Sequence, residues 1–245
     1  MTLSNRKILR TLLCLLAGTL YAVCLSACGA KEPLSENRDA EIESPVIAND
    51  LSNQKVTAIA EDTQGHIWIG TFRGLNKNNV HDYHQYFCTD DSLGLPDNQI
   101  THLLRDSKNR FWVGTVNGVC LYTDKDNFRI IPIEADNKNV RQILEDRNGR
   151  IFLNTGFQLY AYHPREEKIT CVLPEISPGN AFYAQCHIAP DNNLWVMTST
   201  GLRCYDPSTL QLKESVALSG YPYYSYLHNN ELWITGNHTL SIFDT

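Results

Sequence analysis

The sequence predicts an all-β fold, because one short pattern recurs five times with strand-forming residues at its centre. The clearest copies are DTQGHIWIGT at residues 62–71, DSKNRFWVGT at 106–115 and DRNGRIFLNT at 146–155. One aromatic residue marks each copy, at steps of 38 to 44 residues: Trp68, Trp112, Phe152, Trp195 and Trp233. An aliphatic residue follows each of them seven positions later: Leu75, Val119, Leu159, Leu202 and Leu240. A period of about 40 residues built from short strands predicts the blades of a β-propeller.

Each copy divides into four short strands, as the second copy illustrates. Residues 100–104 are apolar on both sides and suit an inner strand that packs between neighbouring sheets. Residues 111–113 are aromatic and β-branched and predict the second strand. Residues 119–122 predict the third strand and residues 128–131 the fourth, at the outer edge of the sheet.

Five copies predict about five four-stranded blades over residues 46–245, with inner strands that start near residues 56, 100, 140, 184 and 224. In the first copy Asn78 replaces the Tyr or Phe of the other copies, so its third strand is less strongly predicted. Residues 42–47 offer a strand that would complete the fifth blade, but Pro45 restricts them to a sheet edge. We therefore expect an open or incomplete array, or part of a seven-bladed ring.

The turn before each aromatic residue is expected to hold a positive φ at its fourth position. Gly65 and Gly149 adopt such a φ without strain, and Asn109 is a common substitute for glycine there. The Asp that opens each turn is interpreted as a cap for backbone N–H groups, since one carboxylate per turn cannot supply the 6–8 oxygens that calcium requires. The repeat aromatic residues fall in the middle of a strand, so we interpret them as core residues rather than sugar platforms.

The N-terminal residues 1–27 have the features of a signal peptide. Basic residues precede an uncharged stretch of 17 residues, which ends at Leu25-Ser26-Ala27-Cys28-Gly29. This ending resembles the lipobox of bacterial lipoproteins, so Cys28 is the predicted lipidation site, residues 28–45 are a tether, and helix is confined to residues 8–27. The alternative is an uncleaved inner-membrane anchor, for which the stretch is slightly short. Both interpretations place the remaining chain outside the cytoplasm, in the periplasm or on the outer membrane.

Charge and cysteine usage exclude two classes of protein. The chain has 21 basic and 27 acidic residues and a net charge of −6, which argues against nucleic-acid binding because phosphate contacts need clustered cations. Beyond the signal region the cysteines are odd in number and contain no CxxC pair, so they predict no zinc site: Cys88, Cys120, Cys171, Cys186 and Cys204. Free buried thiols are favoured, and one disulfide is the alternative.

The sequence offers no pattern of catalytic residues, and we expect neither an enzyme nor a cofactor. No nucleophile motif or zinc-protease motif is present, and His81 and His84 have no third metal ligand nearby in sequence. The best candidates for ligand binding are aromatic residues outside the repeat pattern, where the chain enters the fourth and fifth inner strands: Phe182, Tyr183, Tyr221, Tyr223 and Tyr224. Such side chains would suit an oligosaccharide or another small ligand, and local packing is the alternative.

The pattern D-x-x-G-x-I-W-I-G-T-x-x-G-L resembles the two-component regulator propeller repeat, most closely at residues 62–75 and 106–119. The resemblance covers residues 50–245 and weakens along the chain. It implies the periplasmic sensor of a hybrid two-component system of gut Bacteroidetes, which binds a glycan breakdown product and signals through a kinase. No kinase or receiver segment follows the repeats in these residues, so we expect the output to lie elsewhere, as in a truncated sensor.

Two other functions remain open at this point. The chain is alternatively a stand-alone surface lipoprotein whose propeller binds a protein or a glycan without signalling. A propeller lyase or glycosidase is less favoured, because the sequence pairs no acids for such chemistry. The oligomeric state and the identity of the ligand are not predicted.

Overall fold

The computed structural model describes residues 46–89, 94–123, 125–176, 184–218 and 220–245. They form 20 strands in five antiparallel sheets, and each sheet contains one copy of the repeat. The prediction of an all-β fold is confirmed. Among these residues no helix has the length and apolarity needed to cross a membrane. The predicted signal peptide, Cys28 and the tether lie outside the described residues.

Within each sheet the strands that follow one another in the chain pair with each other, except that β1 pairs with β5. The first sheet contains β1 (Val46–Ala48), β2 (Val56–Glu61), β3 (Ile67–Thr71), β4 (Gly74–Asn79) and β5 (Asp82–Tyr86). The second contains β6 (Ile100–Arg105), β7 (Phe111–Thr115), β8 (Gly118–Tyr122) and β9 (Phe128–Ile131). The third contains β10 (Gln142–Glu145), β11 (Ile151–Asn154), β12 (Leu159–His163) and β13 (Lys168–Leu173). The fourth contains β14 (Gln185–Ile188), β15 (Leu194–Thr198), β16 (Gly201–Tyr205) and β17 (Leu212–Ala217), and the fifth β18 (Pro222–His228), β19 (Glu231–Gly236) and β20 (Thr239–Asp244).

The strand count differs from four in the two end sheets. The fifth sheet has three described strands, and the first has five because β1 pairs antiparallel with β5, with Val46 opposite Gln85. This segment therefore pairs within the first sheet and not with the fifth, the pairing that residues 42–47 offered and that Pro45 argued against. A short connection, residues 49–55, joins β1 to β2 of the same sheet. Because closing a short loop costs little entropy, this local pairing of β1 is favourable. The Gln85 Nε2 atom donates to the Asp50 carbonyl at 2.7 Å and holds this connection in place. The third strand of the first copy forms over its full length despite Asn78.

The repeat aromatic residues pack one sheet against the next. Trp68 and Trp112 are completely buried. The Trp68 ring lies 4.7 Å from the ring of Tyr122 in the second sheet, and Trp112 lies 4.9 Å from Tyr162 in the third, both edge-to-face. Phe152 and Trp195 are buried as well. Trp233 departs from the core interpretation, since 36% of its surface is exposed and no described sheet covers that face of β19.

An aspartate network fixes both the turn and the buried indole in the first two repeats. The Asp106 Oδ1 atom accepts hydrogen bonds from the backbone N–H groups of Lys108 and Arg110 at 3.0 and 2.8 Å. The Oδ2 atom accepts from Trp112 Nε1 at 2.8 Å. Asp62 repeats this arrangement with Trp68, and although burial raises its pKa, these hydrogen bonds hold the pKa of Asp62 below its usual value. The fourth turn position has a positive φ of 83° at Gly65 and 62° at Asn109.

In the fourth repeat Ala189 takes the place of this aspartate. The turn is the same, with the Asn192 N–H donating to the Ala189 carbonyl at 2.9 Å. The buried Nε1 of Trp195 finds no hydrogen-bond partner among the described residues. We expect Ala189→Asp to raise the free energy of unfolding by about 1 kcal/mol, because it supplies acceptors for this indole and for the turn. Urea unfolding checks the gain, which should shrink when Trp195→Phe is introduced first. An equal gain in both backgrounds, or a loss, contradicts the pairing.

Candidate functional site

The inner strands of all five sheets surround one central cavity of about 500 Å³. Its volume falls within the range of small-molecule sites. The lining residues lie on or next to the five innermost strands: Thr57, His102, Arg141, Gln142, Ala184, Gln185, His187, Tyr223, Tyr224 and Ser225. A smaller recess of about 250 Å³ shares Thr57 and Arg141 with it and extends toward Phe72 and Gln99. The cavity combines hydrogen-bonding groups with tyrosine rings.

Two glutamines link consecutive inner strands across the cavity wall. The Gln142 Oε1 atom accepts from the Cys186 N–H at 2.9 Å, and its Nε2 donates to the Cys186 carbonyl at 3.3 Å. The Gln185 Oε1 atom accepts from the Ser225 N–H at 2.8 Å and from the Ser225 hydroxyl at 3.0 Å. Because these amides bridge neighbouring sheets, the polar groups of the wall are fixed before any ligand arrives.

Two histidines in the wall are held neutral by burial. Burial lowers the pKa of His102, against the opposing effect of a hydrogen bond with the Ile143 backbone. Burial lowers the pKa of His187 to about 4. The His187 Nε2 atom lies 2.7 Å from the Ser225 hydroxyl. At neutral pH both rings therefore act as uncharged hydrogen-bonding groups.

The depressed pKa of His187 predicts how stability depends on pH. Above the unfolded-state pKa of about 6.5 the ring is neutral in both states, and its contribution to stability is fully present. As the pH falls from about 6.5 toward 4, the unfolded chain binds the proton first, so the free energy of unfolding decreases. Urea unfolding at pH 7.5, 6 and 5 should show this decrease, and His187→Asn should reduce the slope. An unchanged slope in the variant contradicts the assignment.

The structure places the predicted ligand residues as follows. Tyr223 and Tyr224 line the cavity and are 56% and 59% exposed. The Tyr221 ring lies outside the lining, with its centroid 6.1 Å from that of Tyr223. Phe182 and Tyr183 lie outside the described residues. Of the five predicted ligand residues, two therefore line the central cavity among the residues that the structure describes.

Sequence reasoning missed the polar residues of the cavity wall. His102, Gln142 and Gln185 occupy equivalent positions, each paired with the residue two places after the repeat aromatic. Tyr224 holds the same position in the fifth sheet, paired with Thr235. Reading this inner-strand position through the repeats, rather than searching for irregular aromatic residues, would have found all four.

The described residues include the candidate metal ligands His81 and His84 and five of the cysteines. No group of three or more His, Cys, Asp or Glu residues is placed among the described residues to hold a metal ion. Cys120, Cys171, Cys186 and Cys204 are free thiols. Cys120, Cys186 and Cys204 are buried, whereas Cys88 and Cys171 are exposed.

The repeats match the family model described as "two component regulator propeller" over residues 50–73 and 94–117. The predicted resemblance is confirmed for these two segments. Among curated proteins, none matches this sequence.

Solved structures of several propellers resemble the fold. The chain superposes on virginiamycin B lyase of Staphylococcus aureus with a TM-score of 0.58 at 16% identity, covering 81% of this chain and 73% of the lyase. A gluconolactonase of Xanthomonas campestris gives a TM-score of 0.54 at 12% identity, with coverages of 77% and 71%. The extracellular domain of a hybrid two component system of B. thetaiotaomicron gives a TM-score of 0.46 at 15% identity, and the match covers 78% of this chain and 35% of that domain. This chain thus spans about a third of that domain, and the first two likenesses establish a propeller fold.

Proposed function

We propose that this chain is an exported ligand-binding β-propeller that senses a small polar ligand, such as a glycan-derived oligosaccharide, in its central cavity. One observation carries the proposal: the inner strands of five sheets bring fixed amides, neutral histidines and two tyrosines around a cavity of about 500 Å³. Hydroxyl-rich ligands are recognised by such a mixture of amide groups and aromatic faces. The two segments that match regulator propeller repeats support a sensing role.

The composition of the cavity favours binding over catalysis. Glycosidases use a pair of carboxylic acids that flank the bond to be cleaved. The described residues of the cavity lining include no Asp or Glu. Its histidines are engaged within the wall, as the contact of His187 with Ser225 shows. We therefore assign the cavity to ligand recognition.

Calorimetry of the purified full-length chain with a panel of di- to tetrasaccharides tests the proposal. At least one member should bind, and Tyr224→Ala should weaken that binding tenfold or more by removing a ring from the cavity. Tyr226→Ala is the matched control, because Tyr226 is 57% exposed on the same strand but is not part of the lining. If no sugar binds, or both variants bind like the parent, the cavity is not the sugar site.

Anchoring at Cys28 forms part of the same proposal, motivated by the sequence Leu25-Ser26-Ala27-Cys28. Cells that express the chain should incorporate a fatty-acid analogue into it, and the label should disappear in Cys28→Ala. Cys88→Ala, which removes an exposed cysteine, should keep the label. If the label persists in Cys28→Ala, the lipid is attached to another residue and the assignment to Cys28 is wrong.

A further inference from the structure

Lys77 occupies a position that is buried in the core in the next three repeats. It pairs across β3 and β4 with the repeat aromatic Trp68. In the next three sheets the same position pairs with Trp112, Phe152 and Trp195 and holds Leu121, Ala161 and Cys204, all of them buried. A lysine is costly at such a position and is rarely placed there for packing alone.

The Lys77 ammonium lies beside a crevice between the first and second sheets. Its Nζ atom lies 5.3 Å from the centroid of the Trp68 ring, 5.4 Å from that of Tyr122, and 3.4 Å from the Tyr122 hydroxyl. The crevice encloses about 370 Å³, and Arg105 and Lys125 also line it. Three cations contributed by two sheets thus surround a space large enough for a monosaccharide.

The described carboxylates of the crevice are already engaged. The Asp126 Oδ1 atom accepts from the hydroxyls of Tyr86 and Tyr122 at 2.6 and 2.9 Å. Asp62 accepts from its turn and from Trp68. By contrast, Lys125 forms no ion pair with another residue that the structure describes. Arg105 Nη1 donates to the Asp62 carbonyl at 3.0 Å, so its other guanidinium N–H groups and the Lys125 ammonium are the donors left for an anionic ligand.

We propose that this crevice is a second binding site, for a small hydroxylated carboxylic acid of the sugar-acid class. The carboxylate contacts Lys77 and Arg105, and the hydroxyls find partners at Gln64 and Asn109, which also line the crevice. The apolar face of the ligand packs against Tyr122. This site is separate from the central cavity and does not depend on the function proposed for it, since the two share no lining residue.

Calorimetry of the purified full-length chain with galacturonate, and with galactose as the uncharged match, tests the proposal. Galacturonate should bind at least tenfold more tightly than galactose, because only galacturonate carries a carboxylate that can pair with the cations of the crevice. Equal affinities for the two sugars, or no binding of galacturonate, overturn the proposal.

Two variants locate the site. Lys77→Leu introduces the residue of the second repeat, so it should keep or raise the melting temperature while galacturonate affinity falls tenfold or more. Lys125→Asn removes a charge at a φ of 71°, which Asn tolerates, and should weaken binding severalfold even if the first variant fails to fold. Parent-like affinity in a folded Lys77→Leu and in Lys125→Asn overturns the assignment.

Tyr224→Ala separates this site from the central cavity. It should leave galacturonate affinity unchanged, whatever its effect on oligosaccharide binding. If Tyr224→Ala loses galacturonate binding, the acid binds in the central cavity, and the proposal of a site in the crevice is overturned.

Discussion

Replacing Trp112 with alanine is expected to lower the free energy of unfolding by about 3–5 kcal/mol. The indole is completely buried between the second and third sheets, where it packs edge-to-face on Tyr162. Its removal leaves a cavity that the rigid sheets cannot close, and it deprives the buried Asp106 of a donor that lies 2.8 Å away. Urea unfolding of the full-length chain measures the loss.

The fifth repeat supplies a control for this prediction. Trp233 stands at the equivalent position, yet 36% of its surface is exposed, so Trp233→Ala should destabilise clearly less than Trp112→Ala, because no closed cavity forms at a side chain that already reaches solvent. If the two substitutions destabilise equally, burial between sheets is not what makes Trp112 important. If Trp112→Ala melts like the parent, the repeat has been assigned in the wrong register.

Gly65→Val is expected to cost about 1–3 kcal/mol for a different reason. Gly65 has a φ of 83°, and a Cβ atom added to it meets only Glu61 Oε1, at 3.9 Å. The space is therefore open, and the cost is backbone strain at a β-branched residue alone. Urea unfolding of Gly65→Val measures this strain without interference from a clash.

Two companion substitutions test whether the strain is responsible. Gly65→Asn should be close to neutral, because Asn109 occupies the same turn position with a φ of 62°. Asn109→Gly should be neutral or mildly stabilising, since glycine adopts a positive φ without strain. A silent Gly65→Val, or a large loss in Asn109→Gly, contradicts the conformation assigned to this turn.

Most of the fold could be predicted from the period of the repeat. The aromatic residue and the aliphatic residue recur in all five repeats, and the Asp turn recurs in the first three, so this repetition is visible in one sequence. The partners of β1 and the exposure of Trp233 were not predictable in this way. They depend on which sheet faces a neighbour, and residues with the same local sequence occupy different surroundings at the two end sheets.

The candidate sites were only partly predictable for a related physical reason. Tyr223 and Tyr224 were found because aromatic residues are conspicuous in sequence. His102 and Gln142 were missed because the inner-strand position changes identity from sheet to sheet, so no motif marks it. The candidate role of Lys77 was likewise missed, because it depends on the pairing of Lys77 with Trp68 across the sheet, which the sequence alone does not show.

The sheets are coupled mainly to their sequence neighbours, through β2 with β6, β6 with β10, β10 with β14 and β14 with β18. Stability in such an array is approximately a sum of terms for single sheets and for nearest-neighbour interfaces. Amide hydrogen exchange should therefore be slowest in β10 and β11 and faster in the two end sheets, each of which is stabilised by fewer interfaces. Thr57 and Tyr224 belong to those end sheets, and both line the central cavity. A ligand that touches both would connect the two ends of the array. Hydrogen exchange would then slow in β2 and β18 together, and the first and fifth sheets would unfold cooperatively only while the ligand is bound.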